Sequence, residues 1–172
     1  LFFDMINSYP KPVVMLAEGA AMAGGLGMLC AGDIVVVTED CKFALTETTL
    51  GIPPAQIAPF VSQRIGLAKA RRIMLTAARF TGKEAHEMGL ADFVAKDADD
   101  LKVIEADIKK GVLKCAPGAN AVTKEIVLAT RHLTRKEMIE FAAKGFAERM
   151  LSDEGKEGIS SFIEKRKPKW SK

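Results

Sequence analysis

The 172-residue sequence predicts an α/β core followed by an all-helical region, on three observations. Two apolar runs, "VVMLAEG" and the β-branched "DIVVVTED", read as buried strands. Between them a glycine-rich turn, "AMAGG", leads into "LGMLCAG", short and apolar enough for a buried helix. From Gly66 onward apolar residues recur at helical spacing with Lys and Arg between them. Strand, glycine turn, helix, strand is the order of a layered α/β core.

The elements follow in chain order. "LFFDMINSYPKP" opens inside an amphipathic helix, and its prolines stop it, because proline cannot continue the ladder and biases its predecessor to extended geometry. It starts without Met, and an N-terminal part of the natural domain is expected to precede it. "CKFALTE" reads as a third, brief strand, and "LAKARRIMLTAA" as a helix. In "TGKEAHEMGL", Thr81 is a helix cap with Glu84 three residues on, and Gly89 is the stop. "ADFVA" reads as a short strand. Segments 101–110, 117–131, 134–150 and 153–165 alternate helix with polar breaks, the last three forming a helical lobe.

Composition bounds the function. At 48% hydrophobic and 27% charged, the chain is ordinary for a globular domain with a real core. A net charge of +3 with 6% aromatics does not make the basic, aromatic-laced stripe of nucleic-acid binding. The ending "EKRKPKWSK" reads as a solvated basic tail. No apolar run reaches membrane-span length, since Asp33 and Glu39 interrupt the best candidate. Cys30, Cys41 and Cys115 are too few and too scattered for a disulfide framework, which fits a reduced cytoplasmic or organelle-matrix setting. His86 and His132 have no paired ligands near them, so no metal site is expected. Ser62 lacks a G-x-S-x-G setting, Asp33 reads as a cap or turn residue, and Cys30 as core.

Two stretches could carry chemistry. In "AMAGGLGMLCAGD" the only usable polarity before Asp33 is peptide N–H, and three readings compete. Close helix–sheet packing accounts for Gly27 and Gly32. A phosphate cradle lacks the G-x-x-x-x-G-K-[ST] ending. In an oxyanion hole, a turn at Ala23-Gly24 would leave unpaired N–H groups at a helix N-terminus, where the dipole adds positive potential. In "FALTETTLGIPPAQ", Glu47 stands among Leu45, Leu50 and Ile52. Desolvation would favour its neutral form and move it toward general acid–base use. The alternative is an exposed glutamate at a strand end. Pro53 and Pro54 stiffen the loop that follows.

Taken together, "YPKPVVMLAEGAAMAGGLGMLCAGDIVVVTEDCKFALTETTLGIPP", "LTAARFTGKEAHEMGLADFV" and "FIEKRKPKW" resemble the crotonase superfamily, the enoyl-CoA hydratases and isomerases, in order and over essentially the whole chain. The resemblance implies a crotonase-type ββα spiral core, truncated at the N-terminus by roughly a third of the usual domain, over residues 1–110. A C-terminal helical lobe over 111–172 would mediate homotrimers or dimers of trimers. It implies stabilisation of an acyl-CoA enolate by two backbone N–H groups, one from Gly24 and the other from an earlier loop. Glu47 falls on the family's second glutamate, the general acid–base, while Gly27 stands where two-carboxylate hydratases carry their first. That departure, with "LTETTLGIPPAQIAPFV", resembles the glutaconyl-CoA hydratase branch, including isohexenylglutaconyl-CoA hydratases; Δ3,Δ2-enoyl-CoA isomerases also use one carboxylate. Ala23 replaces a common glycine but still permits the turn. Met22, Ala23 and Leu50 would line the acyl pocket, and Phe162 and Lys165 would touch the CoA nucleotide. Ala55 would offer its N–H, and Gln56 would orient water or a distal polar group. The implied substrate is an acyl-CoA thioester, with no separate cofactor, no metal, no nucleic acid and no membrane.

Overall fold

Short strands, glycine turns and helices build this chain, shown by a computed structural model that describes residues 2–171. The first helix, α1 (Phe2–Asn7), stops before Pro10 and sets Phe3 against Phe60, with ring centroids 5.8 Å apart. Two β-β-α repeats follow. The first is β1 (Val14–Ala17), β2 (Ala20–Met22) and α2 (Gly24–Ala31); the second is β3 (Ile34–Thr38), β4 (Lys42–Ala44) and α3 (Ala58–Thr76). A 3-10 turn, Glu47–Leu50, lies between β4 and α3. Then come β5 (Arg79–Thr81), α4 (Gly82–Glu87), β6 (Phe93–Ala95), α5 (Ala98–Val112), α6 (Pro117–Ala129), α7 (Arg135–Leu151) and α8 (Asp153–Ile163). Repeated β-β-α units followed by helices are the expected fold class.

The repeat separates its strands into two sheets. The first strands pair in parallel as β1-β3-β6, and the second strands form β2-β4-β5, with β2 and β4 parallel and β5 antiparallel. Both faces are covered, so β3 is a nearly continuous apolar run. Val35 and Val37 join Leu26, Phe43, Ile73 and Leu90 in one core.

Several sequence expectations met a tertiary override. Strands β2 and β5 are three residues each and carry no alternating pattern of their own. The helix expected from Gly66 begins earlier, at Ala58, where Pro59 in the first turn suits a helix start. Gly66 marks a break inside it, at φ 78° and ψ 159°. The Thr81–Glu84 capping box is present in both directions.

Contacts divide the chain into two units, residues up to Asn7 with Val13–Asp107, and Ser8–Pro12 with residues from Ile108 onward. In the first, the guanidinium of Arg64 donates to Leu90 O (2.5 Å) and Gly32 O (3.2 Å) and pairs with Asp92. Asp92 in turn accepts the Val35 N–H at 2.7 Å. This clasp puts a cation at the C-terminal end of α2, where the helix dipole favours it. In the second unit Thr134 caps α7 in a capping box with Glu137, and Ser152 caps α8. Glu154 closes the N-terminus of α6 by accepting the Gly118 N–H. Among the described residues no helix is long and apolar enough to cross a membrane.

Ala23 has φ 47° and ψ −118°, a conformation that L side chains rarely adopt. Ala23→Val, branched at Cβ, is expected to lower stability by about 2 kcal/mol or more, while Ala23→Gly leaves it within about 1 kcal/mol. Thermal melts of the three proteins check this.

Glu157 accepts from Arg166 Nη1 at 2.6 Å and from the Lys169 N–H at 3.0 Å. Chiefly the Arg166 hydrogen bond, then the Lys169 amide, holds its carboxyl down at about 2 from an ordinary 4.5. A lowered folded-state value means stabilisation that is complete above the ordinary value and lost as pH falls toward the folded one. Between about pH 6 and about pH 3 the wild type should lose more melting temperature than Glu157→Gln; equal losses would remove this pair from the acid sensitivity.

Candidate active site

Strands β2 and β4 run parallel with Met22 opposite Ala44, so the chain leaves both at the same end. The turn after β2 is pinned there, as the Ala23 N–H donates to Ala44 O at 2.9 Å. The chain then enters α2 at Gly24, while on the neighbouring strand Leu45 and Thr46 lead into the 3-10 turn at Glu47. Parallel pairing thus carries a helix N-terminus and a carboxylate to one sheet edge, the edge where ligands bind in open α/β sheets.

At that edge Gly24 and Gly25 have their N–H groups ahead of the first turn's bonds. The Gly27 N–H is first to close the helix, donating to Ala23 O at 3.1 Å, and no side chain caps the end. Among the described residues no acceptor takes the Gly24 or Gly25 N–H. The aligned peptides of α2 add positive potential there.

The glycines of α2 are glycines for different reasons. A Cβ at Gly27 would lie 2.6 Å from Ile57 Cβ and closer still to Ile57 Cγ2. A Cβ at Gly32 would run into Met15. Both fit the packing reading. At Gly24 a Cβ would meet nothing within 4 Å, and the residue is exposed. Neither packing nor a positive φ demands glycine there, which leaves close approach of a ligand as a physical reason.

Glu47 is half-buried at the first position of the 3-10 turn, not an exposed strand end. Its Oε2 is buried without a hydrogen-bond partner among the described residues. A buried acceptor left open is costly unless something else pairs with it. Its backbone is anchored, with Glu47 O accepting the Ile52 N–H at 3.2 Å and Thr48 Oγ1 donating to Met74 O at 3.0 Å.

The other expected site residues divide. Met22 and Ala23 stand at this edge, half-buried. Leu50 ends the 3-10 turn and is 73% exposed. Ala55 does not offer its N–H, because that group already donates to Pro53 O at 2.8 Å in the tight turn the prolines impose. Gln56 is exposed on the same loop. Phe162, 84% exposed, and Lys165 lie in the second unit. An apolar hollow of about 270 Å³ in that unit, against Phe146, Met150 and Ile159, contains none of the expected site residues. Asp33 is the expected turn residue, its Oδ2 accepting the Val13 N–H at 2.7 Å. Cys30 is core, and burial pushes its thiol up to about 12. Sequence reasoning passed over Ile57, which in isolation is one apolar residue after two prolines.

An apolar two-sheet core built of β-β-α repeats and followed by helices is a crotonase-type fold. The chain matches the family model described as "Enoyl-CoA hydratase/isomerase" over residues 2–172, and it belongs to that family. Among curated relatives, it is 34% identical over 169 residues to the Bacillus subtilis protein named "Probable enoyl-CoA hydratase", covering 97% of this chain and 65% of that one. Among solved structures, it resembles Pseudomonas aeruginosa AtuE at a TM-score of 0.96 and 44% identity, over 99% of this chain and 66% of the other. An enoyl-CoA hydratase/isomerase from Marinobacter aquaeolei gives a TM-score of 0.95 at 38% identity, over 99% and 64%. The chain therefore spans just under two thirds of the length of these relatives.

Gly24→Ala is expected to fold with unchanged or slightly higher stability, since its Cβ meets nothing and Ala favours helix. Paired thermal melts of the two proteins check this.

Proposed function

We propose that the protein adds water to an α,β-unsaturated acyl-CoA through an enolate held at the N-terminus of α2, with Glu47 as its acid–base group. What carries the reading is the shared exit of β2 and β4, which leads on one strand to the uncapped Gly24 amide and on the other to Glu47, whose Oε2 has no partner among the described residues. The family match and the relatives described as enoyl-CoA hydratases support the substrate class.

The chemistry follows from these groups. Glu47 takes a proton from water as the water oxygen bonds to Cβ of the enoyl group. The π pair of the Cα–Cβ bond moves toward the thioester, whose oxygen gains charge opposite the Gly24 N–H. The enolate then collapses, and Cα takes the proton that Glu47 holds, which restores the carboxylate. Met22, Ala23 and Leu50 face the acyl chain in this reading, Gln56 orients water or a distal polar group, and Phe162 and Lys165 bind the CoA nucleotide. Exposed Phe146, Leu151, Phe162 and Ile163 on the helical unit support assembly into homotrimers. Gly27 and the "LTETTLGIPPAQIAPFV" stretch favour a glutaconyl-CoA hydratase-like substrate carrying a second polar end.

A second reading rests on a specific observation, the Ile57 side chain packed over Gly27, which leaves no room for a second carboxylate at position 27. A single acid suffices for a Δ3,Δ2-isomerase, where Glu47 takes a proton from Cα of a 3-enoyl thioester and returns it to C4 without water.

Loss of conjugated-thioester absorbance with incorporation of solvent oxygen supports hydration, and gain of conjugation from a 3-enoyl thioester supports isomerisation. Glu47→Gln should lower kcat by about 100-fold or more with the thioester still bound. Thioester binding without turnover in the wild type, unchanged by Glu47→Gln, would instead mark a non-catalytic scaffold.

A further inference from the structure

We propose that Ile57 is a positioning residue that sets the Glu47 loop against helix α2, an inference that rests on the proposed acid–base role of Glu47. The observations begin at Gly27, in the second turn of α2, where even a methyl group is excluded by Ile57 Cβ and Cγ2. Ile57 is 4% exposed and belongs to the main core. Its branched Cβ leaves it little rotamer freedom, so the contact is stiff on both sides.

From Ile57 the chain back to Glu47 runs through two hydrogen-bonded turns. The Ile57 and Ala58 N–H groups both donate to Pro54 O, at 3.2 and 2.9 Å. The Ala55 N–H donates to Pro53 O, and both prolines have fixed φ. The Ile52 N–H closes onto Glu47 O and the Gly51 N–H onto Thr48 O, each at 3.2 Å. On the other side Val61 N–H donates to Ile57 O at 3.1 Å, fixing Ile57 to the start of α3. In this inference the two turns and the fixed φ of Pro53 and Pro54 pass a displacement at Ile57 on to the Glu47 carboxylate. The same side chain closes the volume into which any side chain at position 27 would project, so an apolar wall stands where a second acid would need room.

The branch at Cβ, not mere apolar bulk, makes the contact, and that separates positioning from burial. Ile57→Val keeps Cγ2 against Gly27 and should keep kcat within about threefold of wild type. Ile57→Leu keeps the volume but moves the branch, and Ile57→Ala removes it. Both should lower kcat tenfold or more, with KM changed less than threefold. Gly27→Ala should lower kcat similarly, and Gly27→Ala with Ile57→Ala should recover part of that loss, because the two changes offset in space. The measurement is kcat and KM per folded protein on an enoyl-CoA thioester, with Glu47→Gln alongside. Wild-type turnover that depends on Glu47, with Ile57→Leu and Ile57→Ala at wild-type kcat, would overturn the positioning role alone. Losses in KM only, or equal losses in Ile57→Val, would also overturn it. Turnover indifferent to Glu47→Gln would remove the acid–base reading, and this inference with it.

Discussion

Everything at the candidate site descends from one parallel pairing, β2 beside β4 with Met22 opposite Ala44. Parallel strands end on the same side, so whatever follows each strand arrives at a shared edge. After β2 comes a helix whose first amides lack acceptors; after β4 comes a turn that opens with a glutamate. An antiparallel pairing would send them to opposite ends. The Ala23 N–H bond to Ala44 O locks the two exits together, and Ala23 takes an unfavourable backbone conformation to make it. A non-glycine residue held at positive φ persists only where its surroundings over-determine it.

In the proposed function this edge uses main chain where many enzymes use side chains. A peptide N–H cannot be titrated away and cannot rotate out of place, and its direction is fixed by the helix behind it. Arg64 closes the other end of α2 by donating to Gly32 O, so the helix is anchored at both ends. The carboxylate opposite is supplied by a loop that core packing and proline hold in shape. Preorganised donors of this kind act without reorganising as charge develops, which is the source of their effect on rate.

Much of this was legible in the sequence, for physical reasons that differ by element. Strands β1 and β3 and helix α2 carry strong local signals, apolar and β-branched runs closed by glycine, and the Thr81 capping box is wholly local. Strands β2 and β5 exist because neighbours pair with them, and three residues hold no periodicity to read. Gly24 and Gly27 look alike in "AMAGGLG"; only the coordinates show one facing open space and the other facing Ile57. Ala55 looked free because a sequence does not display a turn's internal bond to Pro53 O. The apolar company of Glu47 left an exposed strand end as an alternative, and its acid–base role came from the family resemblance, while its buried oxygen without a partner among the described residues is a tertiary fact. Ile57 had no signal at all, since its importance lies in what it touches across the fold.

The most direct test of the central claim is vibrational. In Glu47→Gln, expected to bind an enoyl-CoA thioester while turning it over slowly, isotope-edited difference spectra can follow the thioester C=O stretch on binding. A hydrogen bond from the Gly24 amide at the positive end of α2 polarises that carbonyl, so the band is expected to move to lower frequency than in free solution, and to move back in the double variant with Gly24→Ala. A bound thioester whose carbonyl band stays at its free-solution position would contradict the assignment of α2 as the oxyanion site.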